Sequence, residues 1–396
     1  MNNFKNKNIL LCITGSIAAY KACEIIRLFR KENAQVQVML SKAAEQFIGV
    51  ATLAALSNNK VITNLFPENP KGGLEHVDLS FDIDLVLVAP ATANILCKAA
   101  NGVADDLIST TLSICEHPTV FVPAMNFRMW QNPATVQAVV KLKKREKIII
   151  EPEEGKLASL HSGEGRLANI NTIMNTIRKV FKPNLILENK RVLVTAGPTR
   201  ESIDPVRFLS NRSSGKMGFS IAESAKNMGA DVTLVSGPVN LEDPSQIELY
   251  KIESADEMLK KLLDLIKKND FDYIFMSAAV SDYYANKTTQ KMKRQNKTIN
   301  LELHKNPDIL KSIKKITQAI IIGFALETNN GEREAIKKLK NKGIDYIVLN
   351  YANEKNAGFD VNTNHVYIFD KKENKIELSL DRKDRIAKKI IETIIL

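Results

Sequence analysis

Residues 8–21 read NILLCITGSIAAYK: an apolar run, the turn Thr14-Gly15-Ser16, then small residues at helical spacing up to Lys21. An apolar run that halts at a glycine and a hydroxyl and resumes as a helix opens a strand–turn–helix unit, its strand buried on both faces. A secretory leader has similar hydropathy, but no small-x-small cleavage site follows, and Glu24 and Arg27 soon interrupt the run. Working outward, the unit repeats. Residues 35–40, 85–89 and 119–123 are further near-continuous apolar strands, and residues 16–31, 43–56, 94–112 and 132–144 are helix-like. Strand and helix in alternation predict a doubly wound parallel sheet.

The pattern restarts after a polar connector that carries Lys182-Pro183-Asn184 and Glu188-Asn189-Lys190. New strands are expected at 191–196, 231–236, 273–277, 319–324 and 346–350, and helices at 218–228, 255–268 and 331–342. Residues 365–380 alternate like a strand pair, and a last short helix closes the chain. The expectation is two doubly wound, Rossmann-like α/β domains, residues 1–185 and 186–396.

Composition agrees with that size. The chain has 396 residues, 44% apolar and 26% charged, a globular balance that excludes a disordered chain, a collagen-like repeat and a coiled coil. Its four cysteines form no C-x-x-C pair, which argues against a disulfide framework or a cysteine zinc site. A further uncharged run, residues 85–97, is short of the ~18 residues that span a bilayer. A soluble, cytoplasmic protein is expected, with no membrane partner. Lys and Arg exceed Asp and Glu by 56 to 45, a net charge of +11. That surplus suits nucleic acid, an acidic surface or an anionic small molecule. Nucleic acid would call for a cationic stripe with interleaved aromatics. The chain has one Trp and spreads its cations over both halves, so no nucleic-acid partner is expected.

Three successive strands of the first half end in small, hydroxylated turns: Thr14-Gly15-Ser16-Ile17, Ser41-Lys42-Ala43-Ala44 and Ala89-Pro90-Ala91-Thr92-Ala93-Asn94. Unpaired backbone N–H groups with hydroxyls at helix starts suit a phosphate, although a tight strand–helix connection accounts for any one of them equally well. Without G-x-G-x-x-G, a mononucleotide such as FMN fits better than a dinucleotide. His76, in a Gly72-Gly73 loop, is a candidate catalytic group or a capping or solvent-facing histidine. Asn126, in Pro123-Ala124-Met125-Asn126, has an amide that can hold a carboxylate or form an Asx turn.

The second half opens with Val194-Thr195-Ala196-Gly197-Pro198-Thr199-Arg200, followed by Asp204-Pro205-Val206-Arg207 and Ser210-Asn211-Arg212-Ser213-Ser214-Gly215-Lys216-Met217-Gly218. Backbone N–H groups, hydroxyls and cations in one turn are what phosphates need, but this is no Walker loop, and a solvated helix N-terminus remains the alternative. Residues 277–283 end another strand. The loop 287–297 carries five cations, Lys287, Lys291, Lys293, Arg294 and Lys297. It is either a solvated loop or a lid over a triphosphate. Lys305-Asn306-Pro307-Asp308-Ile309 and Phe324 follow, and Lys338 and Lys342 share a helix face.

The quartet Gly15–Ala22 (GSIAAYKA), His76, Ala89–Asn94 (APATAN) and Pro123–Asn126 (PAMN) resembles the flavin-dependent cysteine decarboxylases. With the second-half motifs, nearly the whole chain resembles the bifunctional phosphopantothenoylcysteine decarboxylase / phosphopantothenate–cysteine ligase family of coenzyme A biosynthesis. The resemblance implies a flavodoxin-like first domain, FMN, and a homo-oligomer through both domains. It implies FMN contacts at Gly15, Ser16, Ile17, Ser41, Ala91, Thr92, Asn94, Ser109 and Thr110, His76 as base in thiol oxidation, and Asn126 on the substrate carboxylate. For the ligase it implies CTP and Mg2+, with 4′-phosphopantothenate and cysteine joined through an acyl-cytidylate. Ala278, Asp282, Lys291, Pro307, Asp308, Ile309, Phe324, Lys338 and Lys342 are the implied CTP contacts. Lys305 is a further implied substrate contact, Arg207 meets phosphopantothenate, and Asn211 and Lys291 serve the acyl-cytidylate step.

One departure stands out. Ser159-Leu160 occupies the place of the family's Cys-Gly, whose thiol donates the last proton, and a hydroxyl is a far weaker acid. This leaves His161 as a substitute donor, or an active ligase joined to an impaired or binding-only flavin domain. Asp105, where the family often has Asn, adds a negative charge near the expected flavin.

Overall fold

Strand β1 (Asn8–Ile13) lies second in a sheet of five parallel strands. The others are β2 (Gln35–Leu40), β3 (Leu85–Ala91), β4 (Thr119–Pro123) and β5 (Ile148–Ile149), in the order β2-β1-β3-β4-β5. This is the flavodoxin-like order, with its switch point between β1 and β3. The computed structural model describes residues 4–66, 82–156, 162–182, 184–293, 300–354 and 361–396, and the chain divides into two units, Met1–Lys182 and Pro183–Leu396.

In the first unit, β1 is buried on both faces because its alternating residues meet two helix layers. Ile9, Leu11 and Ile13 pack with α1 (Ala22–Lys31), α2 (Val50–Ser57) and, later in the chain, the helix Ile170–Val180. Leu10 and Cys12 pack with α3 (Ala93–Asn101), α4 (Leu107–Ile114) and the helix Pro133–Lys144. These later helices are α6 (Pro133–Lys144) and α7 (Ile170–Val180); the four-residue α5 (Phe127–Trp130) precedes them. A hairpin, β6 (Glu153–Lys156) with β7 (Ser162–Arg166), completes the unit.

The helix expected over 94–112 is two. Gly102 ends α3 with φ +71°, and Asp106 starts α4 with a reciprocal capping box to Ser109. The segments 16–31 and 43–56 each begin as a 3-10 turn, Ile17–Lys21 and Ala44–Gln46, before their α-helices form.

The second unit builds an eight-stranded sheet. Its strands are β8 (Arg191–Ala196), β11 (Asp231–Ser236), β12 (Glu248–Lys251), β13 (Tyr273–Met276), β16 (Ile320–Glu327), β17 (Tyr346–Tyr351), β18 (Thr363–Asp370) and β19 (Lys375–Arg382), in the order β12-β11-β8-β13-β16-β17-β18-β19. The first six are parallel in the Rossmann order, and β18 and β19 extend the sheet antiparallel. Two small pairs lie beside it: β9 (Arg200–Ser202) with β10 (Phe208–Ser210), and β14 (Tyr283–Ala285) with β15 (Leu303–Lys305). Val192 and Val194 face α8 (Lys216–Asn227) and α12 (Lys383–Ile395). Leu193 and Val235 face α9 (Ala255–Lys268), α10 (Ile309–Lys314) and α11 (Gly331–Lys342). The closing helix α12 runs 13 residues, longer than expected, because Ile386, Ile390, Ile391 and Ile394 give it a continuous buried stripe.

Candidate functional site

In the first unit, hydrogen bonds stitch the strand ends into one edge. Thr14 Oγ1 donates to Pro90 O (2.7 Å) and accepts from Thr92 N (3.0 Å), tying the turn after β1 to the turn after β3. Ala124 N donates to Ala91 O (3.1 Å), and Met125 N donates to Gly165 O (3.0 Å), which carries the edge on to the hairpin. A Cβ on Gly15 would lie 2.5 Å from Ala43 Cβ, so only glycine lets the turns after β1 and β2 touch. A Cβ on Gly165 would lie 2.2 Å from Met125 O, so β7 sits against the Pro123–Asn126 turn for the same reason.

Gly15, Ser16, Ile17, Ser41, Ala91, Thr92 and Asn94 therefore share one edge. Ser16 and Ser41 use their hydroxyls locally, accepting from Ala18 N (3.4 Å) and Ala44 N (3.2 Å). Asn126 Oδ1 accepts from Arg128 N (2.9 Å), which makes it the cap of α5. Thr111 Oγ1 lies 3.6 Å from Met39 Sδ, which brings α4 to the carboxyl end of β2. There Ser109 Oγ is committed to the capping box, accepting from Asp106 N (3.0 Å). Thr110 Oγ1, by contrast, is buried with no partner among the described residues. Asp105 is not an isolated charge: Lys98 Nζ lies 2.6 Å from Asp105 and 2.7 Å from Asp106. That contact lowers the Asp105 pKa and raises that of Lys98. His76, Ser159, Leu160 and His161 lie outside the described residues.

In the second unit, the residues following β13 form the centre. Thr195 Oγ1 accepts from Ala278 N (3.1 Å), and Thr199 Oγ1 accepts from Ser281 N (2.9 Å). Asn211 Nδ2 donates to Ala279 O (3.1 Å) and Val280 O (3.3 Å). Asn306 Nδ2 donates to Ser281 O (2.9 Å) and its N–H to Asp282 O (2.8 Å), which brings Lys305, Pro307 and Asp308 alongside.

Asp308 caps α10 through Lys311 N (3.1 Å) and pairs with Lys342. Burial pushes its pKa up, but the Lys342 contact and the Lys311 N–H outweigh that and hold it low. Lys338 Nζ donates to Phe324 O (2.7 Å). Burial, and then repulsion from Lys342, lower its pKa against the opposing pull of Glu327, Asp282 and Asp308. Ile309 is buried at the start of α10. Arg207 lies elsewhere, at Asp204: its Nη1 is 3.3 Å from Asp204 Oδ2 and donates to Met292 O (3.2 Å), the residue after Lys291.

A cavity of about 120 Å³ lies between the Ser213–Gly218 turn and the ends of β13, β16 and β17, lined by Lys216, Ala278, Phe324, Asn350, Asn364 and Lys383 among others. It shares Ser213, Ser214 and Lys216 with an open groove of about 600 Å³ past Asn211 and Arg200. Gly218 makes the approach possible, since a Cβ there would meet Ala196 Cβ at 2.6 Å. Asn350, Asn364 and Lys383 are lining residues that the motifs did not single out. Each comes from a late strand or helix with no local signature, and only the sheet order brings it to this edge.

Parallel strands with furnished carboxyl edges in two successive units define a two-part α/β protein built to hold ligands at those edges. Comparison with known proteins identifies the family. Residues 1–182 match the Flavoprotein family, and residues 187–396 match the DNA/pantothenate metabolism flavoprotein C-terminal domain. The Coenzyme A biosynthesis bifunctional protein CoaBC of Bacillus subtilis is 40% identical over 98% of this chain and 97% of its own length. That of Borreliella burgdorferi is 39% identical over 98% and 99%. The crystal structure of the C-terminal domain of a CoaBC aligns with 39% identity and a TM-score of 0.46, covering 53% of this chain and 96% of that domain. The chain belongs to the family of bifunctional coenzyme A biosynthesis proteins. It is an enzyme with a flavoprotein decarboxylase half and a ligase half.

Proposed function

We propose that residues 186–396 join 4′-phosphopantothenate to cysteine at the expense of CTP, and that residues 1–185 decarboxylate the product to 4′-phosphopantetheine with FMN. The observation that carries the reading is the Lys338–Lys342–Asp308 cluster beside Phe324 O and Asp282, at the same sheet edge as the Ser213–Gly218 turn. An unactivated carboxylate acylates an amine too slowly in water. Activation by a nucleotide turns it into an acyl-cytidylate with loss of pyrophosphate, and the cysteine amine then displaces CMP. Lys338 and Lys342 would hold the triphosphate as point charges. Asn211 would orient the reacting centre from its place on the Ala279 and Val280 carbonyls. Arg207 would hold phosphopantothenate, and Lys291 and Lys305 would be further substrate contacts. Mg2+ would travel with the nucleotide, bound chiefly by phosphate oxygens and water; among the described residues there is no group of three or more His, Cys, Asp or Glu placed to cage an ion.

In the first unit, the unsatisfied Thr110 Oγ1 and the glycine-permitted turn at Gly15 fit a flavin mononucleotide at the sheet edge. FMN, when bound, supplies the electron sink that a β-carboxylate next to a thiol carbon otherwise lacks. Ser16, Ser41, Thr92 and Asn94 would hold its polar groups, and Ile17, 60% exposed, would cover a ring face. His76 would take the thiol proton and Asn126 would hold the carboxylate. Exposed Tyr20, Phe47, Val206, Phe208 and Tyr283 favour self-association through both domains. No described helix is long and apolar enough to cross a membrane.

The test is to give purified flavin-loaded protein 4′-phosphopantothenate, cysteine and CTP and to follow products by mass. Conversion through to 4′-phosphopantetheine is expected. Accumulation of phosphopantothenoylcysteine would instead favour the second reading, an active ligase with a binding-only flavin domain, motivated by Ser159-Leu160.

A further inference from the structure

Asp204 is a carboxylate 2% exposed whose acceptor sites are all engaged. Oδ1 accepts from the backbone N–H of Val206 (2.7 Å) and Arg207 (2.8 Å), an ordinary Asx-type turn. Oδ2 does something a turn does not need. It accepts from Met292 N (3.2 Å), 88 residues further along the chain, and from Arg207 Nη1 (3.3 Å).

Two more bonds repeat the link. Thr288 N donates to Ile203 O (2.9 Å), and Arg207 Nη1 donates to Met292 O (3.2 Å). The turn after β9 and the segment 288–292 are therefore one hydrogen-bonded unit with a buried anion at its centre. One cation, Arg207, touches that anion, and a second, Lys291, precedes the anchored Met292 in the chain. The Arg207 side chain is 45% exposed, and Lys291, adjacent to Met292, is exposed. An asparagine would serve the local turn equally well. Only a carboxylate can accept on both oxygens and hold a guanidinium at the same time.

We infer that Asp204 is a positioning residue of the ligase reaction, which sets the spacing between Arg207 and Lys291 so that the acid substrate and the nucleotide are held against each other. The inference rests on the proposed roles of Arg207 and Lys291, and it adds the group that fixes them. The Asp204→Asn side chain keeps the Oδ1 turn but presents an amide N–H where Met292 N–H and Arg207 need an acceptor.

The experiment uses the full-length holoenzyme and the variants Asp204→Asn, Lys291→Ala and the double mutant. Steady-state pyrophosphate release, melting temperature and hydrogen exchange at the Met292 amide are measured. In Asp204→Asn, the KM for 4′-phosphopantothenate is expected to rise about tenfold, with kcat changed less than about threefold. Met292 exchange should accelerate, and the melting temperature should move by less than about 4 °C. The penalty for Lys291→Ala should shrink in the Asp204→Asn background, since a mispositioned lysine has less to lose.

An unchanged Met292 exchange rate overturns the inference, because no anchor has been removed. Wild-type KM values with faster exchange also overturn it, as does a loss confined to kcat and melting temperature, which is what a purely structural residue gives. Failure of the ligase reading itself looks different. Wild-type protein then releases no pyrophosphate with these substrates, whereas Met292 exchange still reports the anchor.

Discussion

The two units place their candidate sites at the same topological position and furnish them in opposite ways. At the carboxyl edge of β1, β2 and β3 the groups on offer are backbone N–H groups, the hydroxyls of Ser16, Ser41, Thr92 and Thr110, and the apolar Ile17; nearby charges are paired among themselves, as Lys98 is with Asp105 and Asp106. At the carboxyl edge of β13 and β16 the furniture is cationic, with Lys338 and Lys342 partly buried and Lys216 and Lys383 lining the adjoining cavity. One topology thus supports a flat cofactor held by shape and hydroxyls, and also a multiply charged substrate held by lysines, because the strand ends set only where a ligand goes.

The strongest test of that contrast is Asn211→Asp. A carboxylate there would face Ala279 O and Val280 O, 3.1 and 3.3 Å from the present amide nitrogen, and would remove a donor from each, leaving Ala279 O the Thr199 N–H alone. Pyrophosphate release should fall about 100-fold or more, in line with the loss of a preorganised donor at a reacting centre. Carbon dioxide release from supplied phosphopantothenoylcysteine should not change.

Three glycines offer a matched test, two in the first unit and one in the second. For Gly165→Ala the new Cβ would lie 2.2 Å from Met125 O, whereas for Gly155→Ala it meets only the Arg166 side chain at 3.6 Å. The first should lower decarboxylation at least tenfold and the second should be close to wild type, with overpacking costing about 1–3 kcal/mol. Gly218→Ala, 2.9 Å from Thr195 O, should do the converse and damage the ligase alone. If either change impairs both activities equally, the independence of the two units fails.

Lys338 gives a pH signature. Burial, then Lys342, lower its pKa, so it sheds its charge at a lower pH than a surface lysine. Since the protonated form binds phosphate, CTP affinity should fall as pH rises through that lowered value. Lys338→Arg should flatten the alkaline limb, and Lys338→Met should raise the KM for CTP about tenfold across the range. A pH-independent KM for CTP would remove Lys338 from the nucleotide site.

The smallest effect is expected for Thr110→Val. Its buried hydroxyl has no described partner, so the free protein should lose no thermal stability. Flavin should nonetheless bind about fivefold more weakly, the ~1 kcal/mol of one hydrogen bond. Fluorescence titration of the apoprotein measures both halves of that statement.

The elements most legible in the sequence were those in which local pattern and burial agree. The strands 35–40, 119–123, 191–196 and 231–236 and the helices 255–268 and 331–342 coincide with the observed β2, β4, β8, β11, α9 and α11. Less legible was the break in 94–112, although Gly102 and the capping pair Asp106–Ser109 were there to be read. The pairs β9–β10 and β14–β15 went unseen because three-residue strands carry too little periodicity to register.

The turn at residues 14–16 shows where the boundary between sequence and tertiary structure falls. Local sequence determined that a buried strand would end there in a glycine and a hydroxyl, since hydropathy period and turn chemistry act over a few residues. It equally determined the Ser213–Gly218 turn and the shared face of Lys338 and Lys342. Only the tertiary structure decided that Thr14 reaches Thr92, that Asn211 crosses to the Ala279 and Val280 carbonyls, that Lys383 joins a cavity with Ser213, and that Asp204 ties Arg207 to Met292. Such contacts join residues tens to well over a hundred positions apart. Strand order and close glycine packing bring them together, and no short-range pattern encodes that.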